Sequence, residues 1–554
     1  MGCKRMHTLT GWWSGLNQRQ RTILIFLSSL LFSFLYMLPR LISPQFGLFD
    51  DGFNLSKVQE MPAPGWDAWE LARGRFRPGY WYFWFFLYRL GGKTPLVFFL
   101  GNTVLLAGCL FLYSLFLSRL TRRWRVALLA VLILSSSPPL LETFYTLGKG
   151  EGLQIFWILA ALNLAHVDPP ESQRRVVDVS PLLSALALFI ACLSKETSIV
   201  ALPFAAFVAF VDIFAARGEK PLYLGKTSRR LLLSALIAIP LYLVLRSSLV
   251  STGSAGPIRY ALEISSLGTS LVRWGGYLLS DFPYLLLLPL AFLVSRDRVT
   301  KAARGWLLFS VVWMLGWIAV FLPWTGMTVY FQLPLTLGLA LMTSVLLLAL
   351  VDKIRLRRHR GLSLFTLLCI VLLVILSLGN TLTDARIQLS TDRVNEEMLI
   401  WLSEHAPVDS LVVVNIQDPN EYYDEIGLHL EEFYGREDLR LDFVRVDAFP
   451  PRTEESLYVL SPYATGIPVV TVRTGVVEPS IGSWNRQLLD LLPPEPPVVF
   501  EVGTELRLYS FKLPQLVCRW IEAETYCYGD PRTLDVLNYT YGWKIYRLQY
   551  VEDS

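Results

Sequence analysis

The stretch Phe49-Asp50-Asp51-Gly52-Phe53-Asn54-Leu55-Ser56-Lys57 follows closely on an apolar run from Thr22 to Ile42. That run is long enough to cross a bilayer, which takes about 20 apolar residues. Two adjacent carboxylates just beyond such a span sit at a membrane surface. Charge is costly beside hydrocarbon and is kept there where a site needs it. Taken alone, Asp50 and Asp51 read equally well as solvated loop acids. The rest of the chain has to decide between the two.

Outward from this stretch, apolar runs recur to about residue 380. The chain has 554 residues, 53% of them hydrophobic, and a mean hydropathy of +0.43. This exceeds what a soluble chain of this length shows. The runs predict about eleven transmembrane helices, near 22–42, 94–117, 126–141, 153–167, 181–194, 197–216, 231–249, 270–294, 306–323, 332–351 and 362–380. The region 251–285 also reads as room for an interfacial helix. The first span is not patterned as a cleavable signal peptide, because it is long, ends in Leu38-Pro39-Arg40 and lacks a small-x-small site. Gly2 lacks the Ser or Thr that myristoylation needs, since Met6 stands there.

Charge divides the chain in two. Residues 1–380 carry 36 Lys and Arg against 17 Asp and Glu, a balance of +19, whereas residues 381–554 carry 14 against 29, a balance of −15. A basic membrane domain, 1–380, is therefore followed by an acidic, water-soluble domain, 381–554. The basic residues are scattered over short loops, which gives no reason to expect a nucleic-acid partner. Alternate loops, with the N-terminal segment, hold 24 of the 36 basic residues, among them Arg119 to Arg125, Arg217 to Arg230 and Lys353 to Arg360. The positive-inside rule places these loops in the cytoplasm. The expectation is a multi-pass plasma (inner) membrane protein with a cytoplasmic N-terminus and an extracytoplasmic C-terminal domain.

The opposite loops carry the chemistry. The first, about 43–93, holds Asp50-Asp51, Trp66-Asp67-Ala68-Trp69-Glu70-Leu71 and Gly74-Arg75-Phe76-Arg77-Pro78-Gly79-Tyr80-Trp81. Its aromatics and arginines predict helices lying at headgroup level. The second runs Ser135 to Gly152 with Glu142, Lys149 and Glu151. The third, Ser194-Lys195-Glu196-Thr197, is so short that both charges stay near membrane depth. They either pair with each other or reach a polar cavity. A later outer segment carries Tyr330, and Arg246, Arg259 and Arg273 are further candidates. In the tail, helices at 391–405, 421–434 and 484–492 alternate with strands at 411–415, 441–446, 457–460, 469–472 and 498–511, the last a strand pair or one long strand, which predicts a small α/β domain. No cysteine spacing suggests a metal. Cys518 and Cys527 could pair in an oxidising compartment. Asn54-Leu55-Ser56 and Asn538-Tyr539-Thr540 fit the glycosylation acceptor pattern.

With the acidic pair after the first span, Glu142 to Glu151 after the third, and Ser194-Lys195-Glu196-Thr197 between later spans, the chain resembles the GT-C superfamily of polytopic glycosyltransferases. The subgroup it resembles holds protein O-mannosyltransferases, aminoarabinose transferases and bacterial relatives. The resemblance covers about residues 20–340 and rests on the joint placement of short motifs. It implies transfer of a sugar, with inversion, from a polyprenyl-phosphate-linked donor to an acceptor on the extracytoplasmic face.

Such a reaction needs a carboxylate base, cations for the phosphate and a groove open to lipid. A positioned carboxylate base contributes about 10² to 10⁴-fold. The catalytic candidates are Asp50, Asp51, Glu142 and Glu151. Asp50 is favoured as base with Asp51 as its orienter or an acceptor ligand, and the pair is the only candidate for a divalent cation. The phosphate-binding candidates are Lys149, Lys195, Arg75 and Arg77, with Glu196 and Tyr330 in support. Two other classes stay open: a non-catalytic membrane scaffold whose tail binds a partner, and a lipid or glycan transporter. The latter would call for an internal repeat and facing broken helices, and no repeat is visible.

Overall fold

In the computed structural model, residues 16–48, 51–60, 70–71, 74–166, 178–216, 225–250, 264–323, 329–355, 360–414, 421–443, 457–465, 498–511 and 534–548 are described. Helix α1, Gln18–Ile42, opens on Asn17. The Asn17 side chain accepts from the Gln20 amide while Gln20 Oε1 accepts from the Asn17 amide, a capping box that ties down two orphan donors. The first outer loop then forms α2, Asp51–Glu60, and α3, Pro78–Gly91. Helix α3 buries Tyr80, Trp81, Trp84 and Leu87 and exposes Tyr82, Phe86 and Leu90. An aromatic helix with one apolar face left uncovered is suited to lie between protein and lipid.

Helix α4, Pro95–Thr121, leads to α5, Trp124–Ser135, and α6, Pro138–Tyr145, which are bent by 67° at their junction. The single span expected at 126–141 is thus broken, and Glu142 lies on a helix of its own rather than in a loop. The cause is local. Pro138 and Pro139 offer no amides to continue the ladder, and the Ser136 and Ser137 hydroxyls donate back to the Ile133 and Leu134 carbonyls. The Ser136 carbonyl freed at the break accepts from the Ser377 and Thr381 hydroxyls.

Next come α7, Glu151–Ala165, α8, Ser180–Ser194, a 3₁₀ turn at Glu196–Val200, α9, Ala201–Ala216, and α10, Gly225–Leu249. Helix α11, Ile264–Asp281, gives way to a 3₁₀ turn, Pro283–Leu287, and α12, Leu288–Ser295. The span expected at 270–294 is therefore also interrupted, at Pro283. Helix α13, Lys301–Phe321, precedes a 3₁₀ turn at Val329–Gln332, α14, Leu333–Arg355, and α15, Arg360–His405. Helices α13 and α14 meet closely at Gly338, where a Cβ would come 2.8 Å from Trp313 Cδ1 and 3.0 Å from the Ser310 carbonyl oxygen.

Among the described residues, six helices are long and apolar enough to cross a membrane: Gln18–Ile42, Pro95–Thr121, Lys226–Leu249, Lys301–Phe321, Tyr330–Arg355 and Gly361–His405. The α5–α6 pair makes a seventh if it is one span. Shorter apolar helices lie at Glu151–Ala165, Ser180–Ser194 and Pro283–Ser295.

Helix α15 is a 46-residue rod, about 70 Å long at the usual helical rise. Its outward apolar ladder, from Leu362 to Leu382, ends where Arg386, Asp392 and Glu396 begin. The same helix, uninterrupted through 381–390, enters the tail domain. There β1, Leu411–Val414, α16, Glu421–Tyr434, β2, Arg440–Phe443, β3, Leu457–Thr465, β4, Val498–Phe511, and β5, Leu534–Leu548, build a mixed sheet ordered β2-β1-β3-β5-β4. Strand β1 runs parallel to β2 and β3, and β5 runs antiparallel to β3 and β4. Asn395 pins α15 to this sheet, since its Oδ1 accepts from Tyr541 Oη at 2.7 Å and Trp543 Nε1 at 2.9 Å. Residues 498–511 form one long strand, and its partner β5 was not anticipated. The strand expected at 469–472, the helix at 484–492, Cys518 and Cys527 lie outside the described residues.

Candidate functional site

Two charged clusters form at one end of the bundle. The first gathers most of the residues singled out from the outer loops. Lys195, between α8 and the 3₁₀ turn, places Nζ 2.6 Å from Glu151 Oε1 at the first turn of α7. Glu151 is fully buried. A carboxylate there also gains from the positive end of the helix dipole. Tyr330 roofs the pair: its ring centroid is 4.4 Å from Lys149 Nζ and 5.9 Å from Lys195 Nζ. Phe331 adds a second ring, 5.1 Å from Lys195. Cations over aromatic faces gain more as water is removed. Gln154 completes the floor, donating Nε2 to Thr197 Oγ1 at 2.8 Å and Ser198 Oγ at 2.9 Å.

Arg77 joins the same cluster at the start of α3. It grips Glu70 with both arms, Nε to Oε2 at 3.0 Å and Nη2 to Oε1 at 2.8 Å, and Arg75 stands 3.7 Å from the same carboxylate. Burial works against the Arg77 charge, but Glu70 and Glu196 outweigh it and hold the guanidinium firmly protonated. Burial likewise opposes ionisation of Glu196, and Arg77, Lys195 and Arg75 override it and keep this carboxyl below its usual range. Arg75, Arg77, Lys149, Glu151, Lys195, Glu196 and Tyr330 thus lie in one cluster. Glu70 was missed. It lies in the quoted aromatic stretch, but nothing in local spacing marks it as the arginine partner. Arg246 donates Nη2 to the Gly74 carbonyl at 2.7 Å and so holds the loop that carries Arg75. Arg259 lies outside the described residues.

The second cluster surrounds Asp51, which is buried at the head of α2. Its Oδ2 accepts from the Gly47 amide at 2.9 Å. Asp392 of α15 also comes close to Gly47, because a Cβ at that glycine would lie 3.3 Å from Asp392 Oδ1 and 3.7 Å from Asp51 Oδ2. Asp392 is paired with the buried Arg40 of α1. Arg40 also donates Nε to the Tyr145 carbonyl at 3.0 Å and lies 4.9 Å over the Phe99 ring. From the tail, Glu425 accepts from the Gly52 amide at 2.8 Å and the Phe53 amide at 3.1 Å, with His429 Nε2 3.5 Å from its carboxylate. Glu396 is half-buried nearby. Burial first, then the charges of Asp392 and Glu397, raise its carboxyl, against a hydrogen bond from Gln45.

Arg40, Asp392, Glu396, Glu425 and His429 were not picked out by sequence, and Asp50 lies outside the described residues. Helix α6 stands between the clusters. It ends at Tyr145, beside Arg40, and packs on the turn that carries Tyr330. Its Glu142 is buried. Among the described residues no three His, Cys, Asp or Glu side chains group so as to hold a metal ion. Asn54 is buried within α2, a poor setting for glycosylation.

No protein-family model matches the chain, and no curated protein matches it in sequence. Solved structures to which it is similar include the oligosaccharyltransferase of Archaeoglobus fulgidus tethered with an acceptor peptide containing the NVT sequon. That match has 14% identity and a TM-score of 0.46 over 77% of this chain and 64% of that one. The archaeal oligosaccharyltransferase AglB from the same organism, in complex with an inhibitory peptide and a dolichol-phosphate, gives 14% identity and a TM-score of 0.47 over 75% and 64%. ArnT from Cupriavidus metallidurans bound to undecaprenyl phosphate gives 13% identity and a TM-score of 0.42 over 79% of this chain and 92% of that one. The chain therefore spans just under two thirds of the length of the archaeal chains.

Proposed function

We propose that the protein is a GT-C-type glycosyltransferase that moves a sugar from a polyprenyl-phosphate-linked donor to an acceptor at the extracytoplasmic face. The observation that carries this reading is the first cluster: four cations, Arg75, Arg77, Lys149 and Lys195, from three separate loops, meet around one tyrosine and three glutamates, Glu70, Glu151 and Glu196. A buried Lys149 with the partly buried Arg75, Arg77 and Lys195 beside it suits an anionic headgroup. The nearby helix α3 leaves Tyr82, Phe86 and Leu90 uncovered for an acyl or prenyl chain.

Within this reading each residue has a definite task. Arg77 is already held bidentately by Glu70 and sets the shape of the pocket. Lys149 and Arg75 offer charge to the leaving phosphate, which gains from fixed cations in a water-poor site. Lys195 neutralises the buried Glu151 and adds to the positive field. Asp51 or Asp50 takes the proton of the attacking acceptor hydroxyl as it adds to the anomeric carbon, and the phosphate leaves as an anion. The orientation that this reading needs follows from the basic loops alternating with these outer ones.

The test is binding of a polyprenyl phosphate to purified protein in nanodiscs. Lys149→Gln and Arg75→Gln each weaken it by about 10- to 100-fold, the usual worth of a hydrogen bond to a charged group. Unchanged affinity in both would favour the scaffold reading.

A further inference from the structure

Helix α2 opens with Asp51, so its first turn exposes amides that need acceptors. The acceptor for the Gly52 and Phe53 amides comes from the tail domain, 373 and 372 residues away in sequence. Glu425 is 3% exposed, so little water competes for these bonds. Gly52 is the residue that allows the approach, since a Cβ there would come 2.7 Å from Glu425 Oε2 and 2.7 Å from His429 Cδ2. The rest of α16 locks the same contact. Phe433 stacks on Phe46 at 4.8 Å, and Glu432 pairs with Lys93 at 3.0 Å and with Gln59 near the end of α2.

We propose that the tail domain completes the site through Glu425, a positioning residue that caps the helix carrying Asp51 and fixes where that carboxylate points. The proposal rests on Asp51 belonging to the working acids of the transferase reading. A carboxylate at the first turn satisfies two orphan donors and complements the helix dipole. It also ties the residues that follow Asp51 to a domain that α15 joins to the membrane helices. On this account the tail does not bind a separate partner through this face.

The experiment uses the full chain in nanodiscs and reads two quantities: hydrogen exchange of the 52–57 amides and steady-state sugar transfer. Glu425→Ala raises exchange at 52–57 about 10-fold, in line with the loss of a helix cap, while the β1 and β3 amides stay protected. It lowers kcat with KM little changed. Glu425→Gln, whose carbonyl oxygen can still accept, restores most of both quantities. Gly52→Ala reproduces the alanine effect by pushing Glu425 away without removing any carboxylate. Unchanged exchange at 52–57 in Glu425→Ala overturns the proposal by itself, as does raised exchange with full activity. Full activity in Asp51→Asn and Asp50→Asn instead overturns the transferase reading and the proposal with it, while exchange still reports the cap.

Discussion

The basic cluster and the acidic cluster lie at the same end of the bundle and are assembled on opposite principles. Lys149 and Glu151 are near neighbours in one turn, and Lys195 and Glu196 are adjacent in another. The acidic cluster joins Arg40 to Asp392 across 352 residues and Gly52 to Glu425 across 373. In the first, cations outweigh a few glutamates and aromatic rings exclude water. In the second, Asp51, Asp392, Glu396 and Glu425 share one arginine and one histidine. The first is set by the membrane helices. The second takes Asp392 from α15 and Glu425 and His429 from α16, so its geometry depends on both helices.

This contrast can be broken most severely at the two buried ion pairs. Removing one partner of such a pair leaves a charge stranded, at a cost of about 3–5 kcal/mol. Lys195→Met and Arg40→Met are each expected to lose stability in that range, read as a fall in thermal unfolding temperature in detergent. The double replacement Lys195→Met with Glu151→Gln recovers much of the loss. The Arg40→Met variant, but not Lys195→Met, also loosens the tail, seen as faster proteolysis between 405 and 443. Equal tail protection in both would erase the distinction between the clusters.

A milder test uses pH, where the clusters should move in opposite directions. Glu396 has its folded pKa raised above the ordinary 4.5. Its contribution is complete below the unfolded pKa and is lost as pH rises through the folded value. Glu196 has its folded pKa lowered from 4.5. Its contribution is complete above the unfolded pKa and is lost as pH falls through the folded value. Between pH 7 and 4, hydrogen exchange corrected for intrinsic rates should show the α15–α16 contact tightening. Below pH 4.5 the Glu196–Val200 turn should loosen. Parallel behaviour of the two regions would contradict these charge assignments.

The smallest effect belongs to the exposed pair Lys57–Glu60, 3.2 Å apart at the end of α2. Glu60→Gln should change stability by less than about 1 kcal/mol, because water screens the pair. A larger loss in the same unfolding assay would mean that α2 depends on its own surface charges rather than on the Glu425 cap.

The same contrast explains what could be read beforehand. Lys195 and Glu196 stood out because a turn that short cannot carry its charges into bulk water. Lys149, Glu151 and the Arg75–Arg77 pair were visible for similar local reasons. Arg40 read only as the basic end of the first span, since its partner Asp392 sits on a different helix in another domain. Nothing in a single sequence encodes such a pairing. The breaks at Ser136–Pro138 and Pro283 were written in proline, but apolar residues on both sides made each stretch look continuous. Strand β5 did carry a signal: Tyr541, Trp543 and Ile545 are buried at alternate positions, with the less buried Lys544 between them.

The central claim is that a carboxylate beside the head of α2 does chemistry on a lipid-linked sugar. The most direct measurement is single-turnover transfer from a polyprenyl-phosphate sugar to acceptors in the extracytoplasmic extract, comparing wild type with Asp50→Asn and Asp51→Asn. The account predicts that wild type transfers the sugar and that at least one variant is slower by about 10² to 10⁴-fold, with donor binding retained. Transfer at wild-type rate in both variants would contradict it.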